Sequence, residues 1–449
     1  MNVEVLLYIP FVPHTHAAEN NMPTLGACYI IGYLKRNGIS VDIIDNYLEK
    51  NSGQEVCKKI SMVDPEYLVV YIGSREMLLS FALSMHEYCL IYGKPSFWII
   101  CGGPYASVLY NNIHANLPFI DYVILGYGEQ AVLDIMTHTK KKNRKLTNVS
   151  YMESGVVAAD IMPKPSNLDS FGLPDYSYYF ESFGKKLRYT ISTSRGCYGK
   201  CSFCFVNQYY KNQIGKHSLG FVQDNVNQLK EYKLDSITFV DDNIFCNDNL
   251  INEEFPRFIS DVGIKYSMSC RIENILDYKG FLRSISVTNL NHLFVGIESF
   301  SEEALKIFNK GITVDEITRA LDVLKELGIT CKFGFIFFHP WTTLQEIKTN
   351  ISRLMWVLNS YPNVCPSVFV QDLDIHYKSS IYDRADHEGL LIDSGPFTNL
   401  TYRFKDPAVR EIHKEWILEN RKLLTNDYGS INELVIKQLI LLGNIIENK

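Results

Sequence analysis

Along residues 1–145 the apolar positions fall in short unbroken runs rather than strict alternations. These are "VEVLLYI" (3–9), "SVDIID" (40–45), "YLVVYIG" (67–73), "FWIICGG" (97–103) and "DYVILGYG" (121–128). Runs of that kind suit strands buried on both faces, where neither side of the pleat meets water. Helix-like stretches lie between them, such as "LGACYIIGYLKRNG", whose closing Gly38 suits a helix C-terminus. Five such units predict an α/β fold with a doubly wound parallel sheet. The opening "MNVEVLLYIPFVP" has no early positive charge and no small-residue cleavage site, so it reads as a first strand rather than a signal peptide.

From residue 188 the rhythm restarts. The strands predicted there are "RYTIST" (188–193), "SITFVDD" (236–242), "KYSMSCR" (265–271), "HLFVGIES" (292–299), "CKFGFIFF" (331–338) and "PSVFVQDLDI" (366–375). Two intervening helices open with the sequence of a capping box, Thr313 with Glu316 and Thr343 with Glu346. Residues 146–187 carry several prolines, Gly172 and no periodicity, which predicts a linker. Residues 393–449 read as helical, most clearly at "AVREIHKEWILENRKLL".

Composition narrows the class. The 449 residues are 46% hydrophobic and 13% aromatic, enough for two or three cores. No stretch offers the roughly 20 uninterrupted apolar residues of a membrane span, so the expected setting is cytoplasmic, with no membrane partner. Net charge is −6, and the one basic run, "KKKNRK" (140–145), is short enough for a solvated connector. Nucleic acid is therefore not an expected partner.

Eleven cysteines in such a chain argue for buried thiols and a metal site rather than a disulfide framework. Eight are scattered among apolar residues; three are clustered in "SRGCYGKCSFC" (194–204), as Cys197, Cys201 and Cys204. Thiolates hold zinc and iron–sulfur clusters. Structural zinc wants four ligands, and Cys246 or Cys270 would then have to supply the fourth. A four-iron cluster held by three thiolates leaves one iron open to a substrate or cofactor. Spacing alone leaves both readings standing.

In its context, after a strand and ahead of strand–helix units, "SRGCYGKCSFC" resembles the signature of the radical S-adenosylmethionine (SAM) superfamily. "FVGIESFSEEALKIFNKGITVDEITRALDVLKELGI" resembles that superfamily's fourth strand and following helices, and "GFIFFHPWTTLQEI" its fifth strand and turn. "DLDIHYKSSIYDRADHEGLL" resembles the region after the sixth, so the likeness covers residues 188–392. It implies a partial (β/α)6 TIM-like barrel. It also implies a 4Fe-4S cluster on Cys197, Cys201 and Cys204, whose fourth iron is chelated by SAM. Reduction then yields methionine and a 5′-deoxyadenosyl radical, with a reductant such as flavodoxin or ferredoxin as electron donor. By the same resemblance Phe203 flanks the adenine, Asp241 and Asp242 orient the methionine amino group, and Arg271, Glu298 and Ser299 face the same mouth. The chain departs from the superfamily at its fifth strand, where Gly334, Ile336 and Phe338 stand in place of "GxIxG".

The glycine turns "CGGPYAS" (101–107) and "LGYGEQ" (125–130) follow strands four and five, where doubly wound sheets bind ligands. Ahead of a radical SAM core, and with "MPTLGACYIIGYLKRNGISVDIID", residues 1–145 are similar to a Rossmann-like cobalamin-binding domain. The resemblance implies cobalamin contacts at Gly102, Gly103, Pro104, Gly126, Gly128 and Glu129. "PFVPHTHAAENN" lacks the "DxHxxG" of carriers that ligate cobalt through histidine. Cobalamin without a histidine lower ligand is therefore expected, with His14 and His16 the alternative ligands. The four regions are then 1–145 (cobalamin), 146–187 (linker), 188–392 (radical SAM barrel) and 393–449 (helical).

The expected function is radical methylation of an unactivated carbon or phosphorus centre in a small molecule or peptide. One SAM supplies the methyl by way of cobalamin and a second supplies the radical. The alternative keeps the cofactors and ends in cyclisation, ring contraction or rearrangement. A cluster that is merely structural, or a zinc-stabilised protein, lies further off.

Overall fold

A computed structural model describes residues 3–12, 21–141, 146–160, 166–366, 370–393, 395–398, 400–424 and 431–447. The chain divides into two compact units, Met1–Ile191 with Gln208–Ser236 and Ser192–Asn207 with Ile237–Lys449.

The first unit is built on a seven-stranded sheet. Its strands are β1 (Val5–Ile9), β2 (Val41–Asp45), β3 (Tyr67–Tyr71), β4 (Trp98–Gly102), β5 (Tyr122–Ile124), β6 (Val149–Glu153) and β7 (Val156–Asp160), in the order 2-1-3-4-5-6-7. The first five are parallel. Every residue of β1 is buried, as its unbroken apolar run predicts. A helix follows each of these strands: Leu25–Arg36, Gly53–Val63, Arg75–Tyr92, Pro104–Asn116 and Glu129–Lys141. Gly38 lies just past the first of them with φ 78°, the left-handed stop its position predicts.

The stretch expected to be a featureless linker carries structure. β6 and β7 form an antiparallel hairpin on the edge of the sheet, Glu153 opposite Val156. Its two-residue turn, Ser154 (φ 51°) and Gly155 (φ 80°), has the left-handed geometry that tight hairpins need. Further on, the helix Ser177–Phe183 is anchored by its own tyrosine, since Tyr179 donates from its hydroxyl to Asp45 Oδ2 at 2.8 Å. Burial raises the pKa of Asp45 to about 6.

The second unit carries five strands of a sheet of six, in the order Val364–Pro366, Cys331–Phe335, Leu290–Glu298, Lys265–Cys270, Ser236–Phe239. The remaining strand, Tyr189–Ile191, is the last element before the unit begins. Pairing is parallel from Lys265–Cys270 through Val364–Pro366. The last strand begins earlier than predicted, at Val364. Residues 367–369, near the start of the predicted run, lie outside the described residues, and Asp372 makes an isolated bridge to Phe338.

One of the two expected capping boxes closes and the other does so by half. Thr313 and Glu316 reciprocate. Thr343 Oγ1 accepts the Glu346 amide, but the Glu346 carboxylate turns to the buried His339, 3.0 Å from its Nε2. The C-terminal stretch forms helices at Pro407–Leu424 and Ile431–Glu447. Among the described residues, no helix is long and apolar enough to cross a membrane.

Candidate active site

In the second unit the residues singled out by the sequence gather at the carboxyl ends of the strands. The loop 192–204 is fixed first. Asp241, two residues past the strand Ser236–Phe239, is buried and accepts from the amide and hydroxyl of both Thr193 and Ser194. Asn247 donates to the Thr193 carbonyl at 2.8 Å, and the exposed Asp242 accepts the Gly196 amide at 3.3 Å. On the far side of the loop, Ser202 is tied through its amide and hydroxyl to the carbonyls of Phe308 and Ile307.

The loop holds Cys197, Cys201 and Cys204, all partly exposed. Each sulfur is met by hydrogen-bond donors. Cys197 Sγ accepts from the Gly199 amide at 3.3 Å, with the Cys246 thiol as its neighbour. Cys201 Sγ accepts from Arg271 Nη1 at 3.1 Å, and Cys204 Sγ from the Val206 amide. The neighbouring Cys246 thiol, with help from the Gly199 amide and Arg271 against the cost of burial, lowers Cys197 to about 7, while burial pushes Cys204 up to about 11. Cys246 keeps its own proton far above the ordinary thiol range, chiefly through its nearness to Cys197.

Arg271 lies at the centre of this arrangement. Burial works against its charge, but neighbouring Cys201 and Glu273 more than offset that and hold the pKa above its ordinary value. Its Nη2 donates to the Lys310 carbonyl at 2.8 Å. Gly199 makes room for it, because a Cβ there would run into the guanidinium.

Beyond Arg271, Glu298 closes its strand with φ 68°, a left-handed conformation that carboxylate residues rarely hold. Glu298 Oε1 pairs with Lys310 Nζ at 3.2 Å, and both side chains are largely buried. Gly296 and Gly334, paired across the two strands, leave the space for them: a Cβ on Gly296 would lie 2.6 Å from Glu298 Oε1 and 3.0 Å from Lys310 Nζ. The sequence reading missed Lys310, because a lysine after a helix ordinarily reads as surface. Ser299 turns away from the mouth, since its Oγ lies 3.3 Å from Asn350 Oδ1 and accepts the Ser301 amide at 3.1 Å.

Phe203 packs edge-on against Phe308, ring centres 5.5 Å apart. Phe338, which replaces the usual glycine, is buried. Its carbonyl accepts from the Leu373 amide and the Tyr402 hydroxyl, and its ring lies 4.8 Å from that of His413. Residues beyond 393 thus cover the end of the fifth strand.

This donor set fits a cubane cluster. Thiolates gain from amide and guanidinium donors, which offset the charge of a cluster. Among the described residues, no three His, Cys, Asp or Glu side chains converge as the ligands of a single ion would. A cubane takes one thiolate at each of three corners, so its ligands need not converge on a point.

In the first unit the two glycine turns lie side by side after β4 and β5. Ser107 Oγ joins them: it lies 2.9 Å from the Gly103 carbonyl oxygen and 2.8 Å from that of Ile124, with a single O–H to share between them, and accepts the Gly126 amide at 3.1 Å. Gly103 has φ 102° and caps the helix that Pro104 begins; a Cβ there would lie 2.7 Å from the Ile72 carbonyl oxygen. Gly126 has φ 119°, a Cβ on Gly128 would lie 2.9 Å from Ile30 Cδ1, and Glu129 is buried at the start of its helix. Gly102 has only ordinary clearance. At Gly103 it is the Ile72 backbone that comes close, so the turn itself requires glycine there. His14 and His16 lie outside the described residues.

Three thiols in a strand-end loop, and glycine turns at the strand ends of a doubly wound sheet, are features of a cofactor-binding protein. Comparison with known proteins gives the family. The radical SAM superfamily matches residues 191–354 and the B12 binding domain matches residues 14–136. The chain carries both domains and belongs to the cobalamin-dependent radical SAM enzymes. The two domains imply a 4Fe-4S cluster, SAM and cobalamin.

The chain is 24% identical over 343 residues to the anaerobic magnesium-protoporphyrin IX monomethyl ester cyclase of Rubrivivax gelatinosus, covering 72% of this chain and 60% of the cyclase. It is 23% identical over 376 residues to the cytidylyl-2-hydroxyethylphosphonate methyltransferase of Streptomyces wedmorensis, covering 70% and 69%. Its fold matches the cobalamin-dependent SAM radical enzyme OxsB, solved with aqua-cobalamin and SAM (TM-score 0.75, 17% identity, 99% of this chain and 70% of that one). It also matches the radical SAM methyltransferase TsrM of Kitasatospora setae, solved with cobalamin and a 4Fe-4S cluster (TM-score 0.68, 14% identity, all of both chains).

Proposed function

We propose that this cobalamin-dependent radical SAM enzyme transfers a methyl group, carried on cobalamin, to an unactivated carbon or phosphorus of a small molecule or peptide. The observation that carries the radical reading is the loop in which Cys197, Cys201 and Cys204 each meet hydrogen-bond donors at the strand ends. When bound, the cluster and SAM supply a 5′-deoxyadenosyl radical and cobalamin supplies the methyl.

The chain's own residues place these groups. Cys197, Cys201 and Cys204 are the ligands, and Asp241 holds their loop through its bonds to Thr193 and Ser194. Glu298 and Lys310 present a carboxylate and an ammonium suited to the charged methionine end of SAM, with Asp242 at the loop and Phe203 toward the adenine. Arg271 acts on Cys201 and Ser299 positions its strand end. Gly102, Gly103, Pro104, Gly126, Gly128 and Glu129 form the cobalamin face of the first unit. A small reductant such as flavodoxin or ferredoxin supplies the electron.

Methyl transfer is supported by the similarity to the phosphonate methyltransferase and, over 154 residues at 27% identity, to the hopanoid C-3 methylase of Methylococcus capsulatus. The cyclase relatives support a second reading, cyclisation or rearrangement without methyl transfer, equally well. Product analysis on candidate substrates tests the choice. Methylation yields S-adenosylhomocysteine and 5′-deoxyadenosine in nearly equal amounts, with label from deuterated methyl in the product. Rearrangement yields 5′-deoxyadenosine without matching S-adenosylhomocysteine, and a product that carries no donor methyl.

A further inference from the structure

The turn after the strand Cys331–Phe335 holds a polar pair outside the cysteine loop. His339 is fully buried, and Glu346, in the first turn of the helix Leu344–Ser360, is buried with it. His339 Nε2 lies 3.0 and 3.2 Å from the two carboxylate oxygens of Glu346, and its Nδ1 accepts the Trp341 amide at 3.3 Å. A ring nitrogen that accepts from an amide carries no proton, so the ring N–H is at Nε2 and points at Glu346. The main chain is held as well, since the His339 amide donates to Thr342 Oγ1 at 2.8 Å.

A buried carboxylate and imidazole cost desolvation that a packed apolar pair would not. Glu346 also forgoes the reciprocal half of its capping box to reach the histidine. What the pair adds is direction: a ring held at both nitrogens has a fixed plane. That ring meets Phe308 edge-on, with centres 5.1 Å apart at 75°. Phe308 is fully buried and meets Phe203 in the same manner, 5.5 Å apart at 83°. Aromatic pairs favour this geometry and lose energy when it is turned. The Phe308 carbonyl also accepts the Ser202 amide at 2.9 Å, beside Phe203. A row of contacts thus runs from Glu346 through His339 and Phe308 to the residue before Cys204.

We propose that His339, oriented by Glu346, is a positioning residue for SAM: through Phe308 it sets the plane of Phe203 and so tightens the hold on the adenine. The inference rests on Phe203 lying toward the adenine, as set out under the proposed function.

The test uses the full chain, reconstituted with iron, sulfide and hydroxocobalamin and left unreduced, so that SAM binds without being cleaved. Equilibrium dialysis with radiolabelled SAM gives the dissociation constant, and iron is assayed on each sample. Glu346→Ala frees the ring and is expected to weaken SAM binding about fivefold, the size of one aromatic contact, at wild-type iron content. Glu346→Gln keeps an oxygen for the Nε2 proton and is expected to bind SAM as wild type does. In a Phe203→Leu background, or Phe203→Met should the leucine variant lose iron, Glu346→Ala is expected to add nothing, because the row has lost its last member.

Wild-type affinity in Glu346→Ala overturns the inference, and so does an equal loss in Glu346→Gln. A loss that persists in full in the Phe203 background overturns it, since the pair would then act by another route. Loss of iron or of folding in Glu346→Ala overturns it too, by making the pair structural. A wild type that binds no SAM sinks the radical SAM reading and this inference with it. A wild type that binds SAM, beside a Phe203 variant of equal affinity, sinks the inference and leaves that reading standing.

Discussion

Asp241 Oδ1 takes both the amide and the hydroxyl of Ser194, at 2.5 and 2.6 Å, and so fixes the residue three positions ahead of Cys197. Thr193 adds its amide and hydroxyl to the same carboxylate. Charge-assisted bonds of this length are strong, and burial makes their loss costly. Asp241→Ala is expected to lower the unfolding free energy of the metal-free protein by about 3 kcal/mol and to reduce iron uptake. Urea unfolding and iron assay check both. An unchanged midpoint would leave Asp241 without its anchoring role.

Gly103 permits the turn between β4 and its helix, with φ 102° and ψ 170°. That region is open to glycine and closed to branched side chains, at a cost of about 1–3 kcal/mol. Gly103→Val adds a clash with the Ile72 carbonyl oxygen. The variant is expected to melt earlier and to retain less cobalamin after desalting than the roughly one equivalent a single B12 domain holds. Full retention would move the corrin away from this turn.

The metal-free cysteines should differ in reactivity. Thiolate is the reactive form, so alkylation follows each sulfur's ionisation. Cys197, lowered to about 7 chiefly by the neighbouring Cys246 thiol, is expected to reach its plateau rate about one pH unit above that value. Cys204, raised to about 11 by burial, keeps accelerating well beyond it. In Cys246→Ala the rise for Cys197 moves to higher pH. Mass spectrometry after timed iodoacetamide treatment resolves the sites. Identical profiles for Cys197 and Cys204 would contradict the donor pattern described around them.

The stability of the first unit should fall as pH rises past Asp45. Its folded pKa of about 6 lies above the ordinary carboxylate value of 3.8, because burial disfavours the charge. The folded state therefore holds a proton that the unfolded state releases. That contribution is fully present below about pH 4 and is lost between about pH 4 and 6. Asp45→Asn, which never ionises, is expected to flatten this part of the pH–stability curve, as measured by denaturant midpoints.

Much of this was legible in the residues themselves. The runs at 3–9 and 67–73 became β1 and β3 because strands covered on both faces have no polar side to show. The hairpin Val149–Glu153/Val156–Asp160 was hidden: Glu153, Ser154 and Gly155 look like loop, and only the Ser-Gly pair hinted at a turn. The cysteine spacing marked the loop, but not what holds it. Asp241 could be placed by its strand-end position. Lys310 and Gly296 could not, because the ion pair of Lys310 with Glu298, and the space Gly296 leaves for it, join positions 12 residues apart with no local pattern to mark them. Glu346 was read as one half of a capping box, and a buried histidine distant from the local pattern claimed it instead.

One measurement bears most directly on the chain as a radical SAM enzyme with Cys197, Cys201 and Cys204 as ligands. Wild type and the variant with all three changed to alanine are reconstituted anaerobically with iron and sulfide, reduced with dithionite and given SAM. The account predicts about four irons in the wild type, with formation of 5′-deoxyadenosine and methionine, and neither iron nor cleavage in the triple variant. A triple variant that still binds iron and cleaves SAM would contradict it.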